Sequence, residues 1–197
     1  MNNINMNTVG NEKTKGMLIV VSGPSGSGKG TVIKRLLEKR PEIYLSVSAT
    51  TRPKRENEED GVHYYFMNKT EFERKIKAGE MLEHAVFAEN YYGTPASYVL
   101  ERLENGQNVL LEIEVDGAGQ ILTKYRDALT VFISPPSMDE LRRRLQKRGT
   151  ENERMIQKRT KIAFREMRER GNYDYIVIND DLERAVTEIE NIIFKPN

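Results

Sequence analysis

An α/β fold with a mainly parallel central sheet is what the sequence predicts, and three observations predict it. Short apolar segments of strand type alternate with amphipathic helical segments along most of the chain. A glycine-rich loop joins the first such strand to the first helix. The chain also closes on a strand followed by an amphipathic helix.

Residues 1–16 (MNNINMNTVGNEKTKG) are polar and without periodicity, and they read as a flexible tail. Met17 to Val21 is a buried-type strand, followed by a Gly/Ser/Pro cluster and a helix. In that helix Val32, Ile33, Leu36 and Leu37 form one apolar stripe, and Pro41 marks the end. Leu45 to Ala49 reads as a second strand.

From Ser48 to Thr94 the character shifts to Arg, Glu and Tyr. Strand-like pieces (Val62–Met67, Leu82–Phe87) flank a helix opened by the capping-box pattern Thr70-x-x-Glu73. Helix and strand then alternate twice, as Ala96–Asn105 closed by Gly106 with Asn108–Val115, and as Asp116–Tyr125 with Ala128–Ile133. Ser137-x-x-Glu140 opens a basic helix, Met138 to Arg148, and a long charged helix follows Gly149. Tyr175–Ile178 is the last strand. The last helix carries the stripe Leu182, Ala185, Val186, Ile189 and Ile193.

Composition removes several function classes. The chain has 197 residues and no cysteine, which excludes disulfides, thiolate zinc sites and cysteine nucleophiles. Lys plus Arg is 31 against 30 for Asp plus Glu, a net charge of +1. A chain so balanced is not a general polyanion binder, and a nucleic-acid partner is not expected. The longest purely apolar run, Met17–Val21, falls far short of the ~20 residues that span a bilayer, so no membrane partner is expected either. A soluble, cytoplasmic protein is the expectation.

The strongest chemical signal is Gly23-Pro24-Ser25-Gly26-Ser27-Gly28-Lys29, which fits G-x-x-x-x-G-K. Small residues let successive backbone N–H groups converge on phosphate oxygens, and the following helix adds its positive end. Lys29 supplies a full charge to the outer phosphates. The motif lies after an apolar strand and before an amphipathic helix, the context it requires. A bound nucleoside triphosphate is the expected ligand. The position after the lysine, usually Ser or Thr, is Gly30, with Thr31 next. Thr31 is therefore placed to donate to an inner phosphate.

Ser48-Ala49-Thr50-Thr51-Arg52-Pro53-Lys54-Arg55 sets two arginines three residues apart on a loop fixed by Pro53. Such a loop is either a solvated basic turn or a bidentate phosphate grip. Nearby, GVHYYF and NYYGT supply tyrosine hydroxyls, and Glu83 sits in MLEHAVF.

Taken together, these segments resemble the guanylate kinase family. The matching pieces are GPSGSGKGT, SVSATTRPKR, DGVHYYF, MLEHAVF, NYYGTP, LLEIEVDGAGQ, PPSMDELRRRLQKRGTE, QKR and VIND-D, in family order from about Met17 to Phe194. The adenylate kinase family shares only the first of them. The resemblance implies a P-loop kinase fold of three α/β/α layers on a parallel core sheet, formed by 17–47 and 95–197. It adds a small mixed α+β lobe for the monophosphate, 48–94, and a helical lid at about 142–160. It implies transfer of the ATP γ-phosphoryl group to GMP or dGMP, with Mg²⁺ as cofactor.

Residue by residue, the resemblance implies that Arg52, Arg55, Tyr64 and Tyr92 hold the acceptor phosphate, while Ser48, Glu83, Thr94 and Glu112 surround its base. Arg144, Arg148 and Arg159 match the lid's phosphate-contacting arginines, and Asn179 would approach adenine. Lys29, Arg52, Arg148 and Arg159 are the expected catalytic set. Guanine presents N1–H and an exocyclic amine side by side, two donors for one carboxylate such as Glu83. Adenine would turn a lone pair on it and be rejected.

Two further positions depart from the family pattern. Glu114 stands where the family usually has Asp, and Asp116 where it commonly has Gln; Asp116 reads as a helix N-cap. With Gly30 at its position, Mg²⁺ is expected through water near Thr31 and Glu114, without a direct protein ligand. Guanylate-kinase-like scaffold domains resemble the chain too, but a degraded phosphate loop would be expected of one, and this loop is intact. A kinase for another monophosphate or a generic P-loop ATPase lacks a use for the set Ser48, Glu83 and Thr94. His63 and His84 have no recognisable partner pattern and read as packing or surface residues.

Overall fold

A computed structural model describes residues 14–87, 89–147 and 153–194. Among them the chain passes through β1 (Leu18–Ser22), α1 (Lys29–Lys39), β2 (Tyr44–Leu45), β3 (Ala49–Thr50), β4 (Tyr65–Phe66) and α2 (Lys69–Lys77). Then follow β5 (Met81–Phe87), β6 (Asn90–Pro95), α3 (Ala96–Glu104), β7 (Val109–Glu112), α4 (Val115–Lys124) and β8 (Leu129–Ser134). The chain continues with α5 (Met138–Lys147), α6 (Glu153–Glu166), a 3-10 turn at Glu169–Asn172, β9 (Tyr175–Ile178) and α7 (Leu182–Ile193).

The expected parallel sheet is present, in the order β2-β7-β1-β8-β9, and every pairing in it is parallel. Its strands are nearly continuous apolar runs because helices cover both faces. On one face Ile19, Val21, Leu110, Val131, Ile133 and Val177 pack against Val32, Ile33 and Leu36 of α1 and Ala185, Val186 and Ile189 of α7. On the other, Leu18, Val20, Leu111 and Phe132 meet Val99 of α3 and Ala118 and Ile121 of α4. Each fully buried Leu, Ile or Val side chain contributes ~1.5–3 kcal/mol, so these two layers fix the three-layer arrangement. No helix among the described residues is long and apolar enough to cross a membrane.

A second sheet runs β4-β3-β6-β5, with β3 parallel to β4 and antiparallel to β6, and β5 antiparallel to β6. Its own small core is Ala49, Phe72 and Met81, backed by Tyr65, Met67, Ile76 and Tyr91. Leu82 instead joins the core beneath α4. One strand of the second sheet is therefore anchored in the first layer system.

Several sequence expectations are corrected here. Leu45–Ala49 is not one strand: Leu45 pairs with Leu110 in the large sheet, whereas Ala49 pairs with Tyr65 and Gly93 in the small one. Ser46 to Ser48 carries the chain between sheets, which a straight strand could not do. Val62–Met67 shrinks to Tyr65–Phe66 because Val62 and His63 turn back onto Glu59 O. The cap of α2 is Asn68, whose side chain accepts the Glu71 N–H at 2.8 Å, not Thr70. Glu114 occupies the N-cap of α4, leaving Asp116 in the first turn, where its charge faces the positive helix end. Ser137 caps α5 as expected, accepting the Glu140 N–H at 3.1 Å.

Strand β6 has no counterpart in the sequence reading. Its Asn, Gly and Pro content suggests a loop, yet Gly93 is there for packing: a Cβ would lie 2.6 Å from Glu83 O and 3.1 Å from the Phe72 ring.

Candidate active site

Parallel strands share one C-terminal edge, so the segments leaving β1, β7, β8 and β9 converge there. The loop after β1 is shaped by glycines no other residue could replace. Gly23 has φ 148° and would place a Cβ 2.3 Å from Ile133 O. Gly28, the N-cap of α1, is left-handed at φ 88° and would place one 2.4 Å from Asn179 Nδ2. Helix α1 begins with no side-chain cap and no acidic residue in its first turn. Its orphan N–H groups and positive end are thus left for an anion. Lys29 Nζ rests at the mouth, donating weakly to Gly23 O at 3.5 Å and Ile113 O at 3.3 Å.

Three side chains from outside brace this loop. Asn179 Nδ2 and Arg144 both donate to Ser27 O, at 2.7 and 3.0 Å. Arg144 also donates to Asn179 O at 2.8 Å and to Glu140 at 2.8 Å, so its guanidinium is engaged with protein groups on every nitrogen. Arg159 donates to the Ser25 hydroxyl. Arg144 and Asn179, expected at phosphate and adenine, therefore shape the loop backbone here. Helices α5 and α6 pack on each other through Leu141, Leu145, Ile156 and Ala163, which aims both arginines at the loop. Arg142 and Arg143 pair with Glu153 and Glu140 at the surface, in keeping with a solubilising role. Arg148 lies outside the described residues.

The second sheet gathers the residues expected around an acceptor. Glu83 on β5 is only 5% exposed and accepts the Thr94 hydroxyl at 2.7 Å. Burial pushes its carboxyl above the ordinary range, partly offset by the Thr94 bond. Tyr64 and Tyr92 face each other edge to face at 6.1 Å, and the Arg52 guanidinium lies 5.2 Å from the Tyr64 ring. Burial raises the Tyr64 phenol, which keeps it a protonated donor at working pH. Arg55 is exposed on the loop beyond, and Ser48 is half-buried where the chain enters the small sheet.

Glu112, at the end of β7, connects the two sides. Its Oε1 would lie 3.5 Å from a Cβ at Gly30, beside the phosphate loop. Burial raises its carboxyl, and Lys29 pulls the other way. Glu166, which no motif singled out, ends α6 beside the same charges. Burial and the neighbouring Glu114 carboxylate push it up to about 7, with Lys29 opposing.

Helix α4 holds β5 in place by imitating a strand. Gln120 accepts the His84 N–H at 3.2 Å and donates to His84 O at 2.6 Å, and Lys124 donates to Leu82 O at 3.2 Å. Gly117 lets the helix approach, since a Cβ there would stand 2.5 Å from Glu83 Oε2. The obstructed atom is a side-chain tip, so Gly117→Ala should fold normally while displacing the carboxylate. With GMP and ATP as the substrates that the resemblance implies, the expected result is a KM for GMP raised about tenfold, with the KM for ATP and the melting temperature nearly unchanged. Steady-state kinetics beside a thermal melt checks this. Glycines inside an otherwise periodic helix (DGAGQ) were the sequence signal for such an approach.

The donor set decides what a metal would find here. Gly30 has no hydroxyl, and no group of three or more His, Asp or Glu among the described residues could hold a metal ion. Thr31 in α1 and Glu114 at the N-cap of α4 are the residues expected near Mg²⁺ held through water.

Fold and site together define a P-loop phosphotransferase with a second, tyrosine- and arginine-lined cradle. The sequence profile described as guanylate kinase matches residues 15–196. A guanylate kinase from Symbiobacterium thermophilum is 52% identical over 92% of this chain and 86% of its own length. Another from Clostridioides difficile is 50% identical over 91% and 87%. The crystal structure of guanylate kinase from Anaplasma phagocytophilum superposes with a TM-score of 0.74 at 36% identity, covering 92% of this chain and 86% of that one. The chain belongs to the guanylate kinase family.

Proposed function

We propose that this nucleotide-binding transferase moves the γ-phosphoryl group of ATP to the phosphate of GMP, giving ADP and GDP, and that dGMP is also an acceptor. The observation that carries this reading is the placement of Glu112. Its Oε1 lies 3.5 Å from where a Cβ at Gly30 would stand, beside the phosphate loop, and Lys29 lowers its carboxyl against the burial that raises it. This placement supports a reading in which the two anion cradles meet at Glu112.

The acceptor oxygen is already anionic near neutral pH, so no general base is needed. The obstacle is repulsion between two polyanions. In this reading the N–H groups of residues 23–30 and Lys29 hold the donor phosphates, and Thr31 donates to an inner one. Arg52, Arg55, Tyr64 and Tyr92 hold the acceptor phosphate in line, while Ser48, Glu83, Thr94 and Glu112 surround guanine. Magnesium, when bound with ATP, would neutralise charge on the β- and γ-phosphoryl oxygens. Closure of the lid at about 142–160, carrying Arg148 and Arg159, would exclude water that otherwise takes the phosphoryl group. Residues 48–94 form the monophosphate lobe of this scheme, and the cytoplasm is its setting.

The test is a coupled assay of ADP release with ATP and Mg²⁺ and, in turn, GMP, dGMP, AMP, CMP or UMP. Turnover mainly with GMP and dGMP is expected. Equal turnover with AMP removes the guanine assignment, and none with any acceptor leaves a scaffold.

A further inference from the structure

Glu58 lies between the two segments that marked the acceptor side and belongs to neither. Its carboxylate takes two bonds from the end of the Arg52 guanidinium, both 2.7 Å, and the Arg55 backbone N–H at 2.9 Å. Both side chains of the pair are only 14% exposed, against 40% and 49% for a surface pair such as Arg35–Glu38. Arg52 Nη1 also donates to Pro53 O at 2.9 Å, and the guanidinium lies against the rings of Tyr64 and Phe66 at 5.2 and 5.7 Å.

A guanidinium has five N–H donors in a fixed plane. Glu58 and Pro53 consume both on Nη1 and one on Nη2. What remains is the side edge, Nε and the other Nη2 hydrogen, which form a second parallel fork. The same guanidinium lies 5.2 Å from the Tyr64 ring, which packs edge to face on Tyr92 at 6.1 Å. The unused fork therefore sits beside the Tyr64–Tyr92 pair.

We propose that Glu58 is a positioning residue of the acceptor site: it occupies the end of the Arg52 guanidinium so that the side edge receives the GMP phosphate. This rests on the acceptor reading given above. A rival role, as a carboxylate that fills the place of the phosphate until GMP displaces it, requires breaking three hydrogen bonds inside one short loop. The pair is electrically neutral, so Arg52 supplies geometry and the exposed Arg55 supplies net charge. Arg52 and the Arg55 N–H hold the Glu58 carboxyl down at about 2, so its role persists over the whole working pH range.

Calorimetric titration of the full chain with GMP and, separately, guanosine tests this on wild type and Glu58→Gln. Glutamine keeps the shape but loses one acceptor and the charge. GMP should bind about tenfold more weakly while guanosine changes less than about twofold, since only GMP carries the group that Arg52 receives. In turnover, the KM for GMP should rise with kcat and the KM for ATP nearly unchanged. Tighter GMP binding would establish the rival role. Equal losses for GMP and guanosine would reduce Glu58 to a loop staple, and no change would remove it from the site. Should Glu58→Gln fail to fold, Glu58→Asp keeps the charge but withdraws the carboxylate, and the same selective loss for GMP is expected. Wild type that binds ATP but neither GMP nor guanosine would count against the acceptor reading itself.

Discussion

Glu83→Gln is expected to raise the KM for GMP about a hundredfold while leaving that for ATP within about twofold. The carboxylate offers two acceptors to the adjacent donors of guanine. An amide offers one acceptor and turns an N–H against an N–H, and nearly complete burial leaves no water to relieve the conflict. The fold should survive, because Thr94 can still donate to the amide oxygen as it does to Glu83 Oε1. Stability should even improve at high pH. Burial raises the Glu83 carboxyl in the folded chain, so the penalty for ionising it appears as pH climbs from the ordinary carboxylate range through the raised value, and stays above it. The variant removes that penalty, so its melting temperature should exceed the wild type's at pH 8 and match it at pH 4. The same shift predicts that wild-type affinity for GMP falls on acidification sooner than an ordinary carboxylate would dictate, and that the variant loses Glu83's part of this limb. Unchanged GMP affinity in the variant would remove Glu83 as the base reader.

The features legible in the amino-acid sequence divide from the rest along a physical line. The large sheet and its helices were legible because burial on both faces writes continuous apolar runs and clean helical stripes. The last strand, Tyr175–Ile178, and the last helix stripe match the structure to the residue. The phosphate loop was legible because its glycines are forced by φ and by close approach. The small sheet was legible only in β5, read as Leu82–Phe87 and found as Met81–Phe87. β3 and β4 are two residues each, and β6 is built of Asn, Tyr, Gly, Thr and Pro, which read as a loop until the hairpin with β5 and the distant pairing with β3 hold it extended. At the site, ligand-facing types such as Arg52, Tyr64 and Glu83 stood out in their motifs. The residues that hold them stood out less or not at all. Gly117 and Gln120 lie in the DGAGQ piece, but their approach to Glu83 and His84 arises only in the folded chain, and a lone Glu58 carries no periodic signal.

Lys29→Met should lower kcat by about a thousandfold or more, the largest single effect expected, with little loss of stability. In the structure the ammonium makes only long bonds to Gly23 O and Ile113 O, at 3.5 and 3.3 Å, so the fold relies on it little. A methionine of similar length keeps the packing and deletes the charge. Without it, the donor phosphates lose their fixed cation just as the acceptor's negative charge approaches. The charge reaches further, because Lys29 lowers both Glu112 and Glu166 against the burial that raises them. In the variant both carboxyls should titrate higher, and the part of the acid limb of GMP binding that Glu112 contributes beside Glu83 should move to higher pH although Lys29 never touches guanine. Single-turnover rates with saturating ATP and GMP, together with GMP titrations at several pH values, separate the two consequences. A variant with normal kcat would mean that the Gly23–Thr31 loop does not hold the donor. A lowered kcat with an unmoved acid limb would mean that the cradles share a cleft but not a charge network, and Glu112 would then lose its place as the group that joins them.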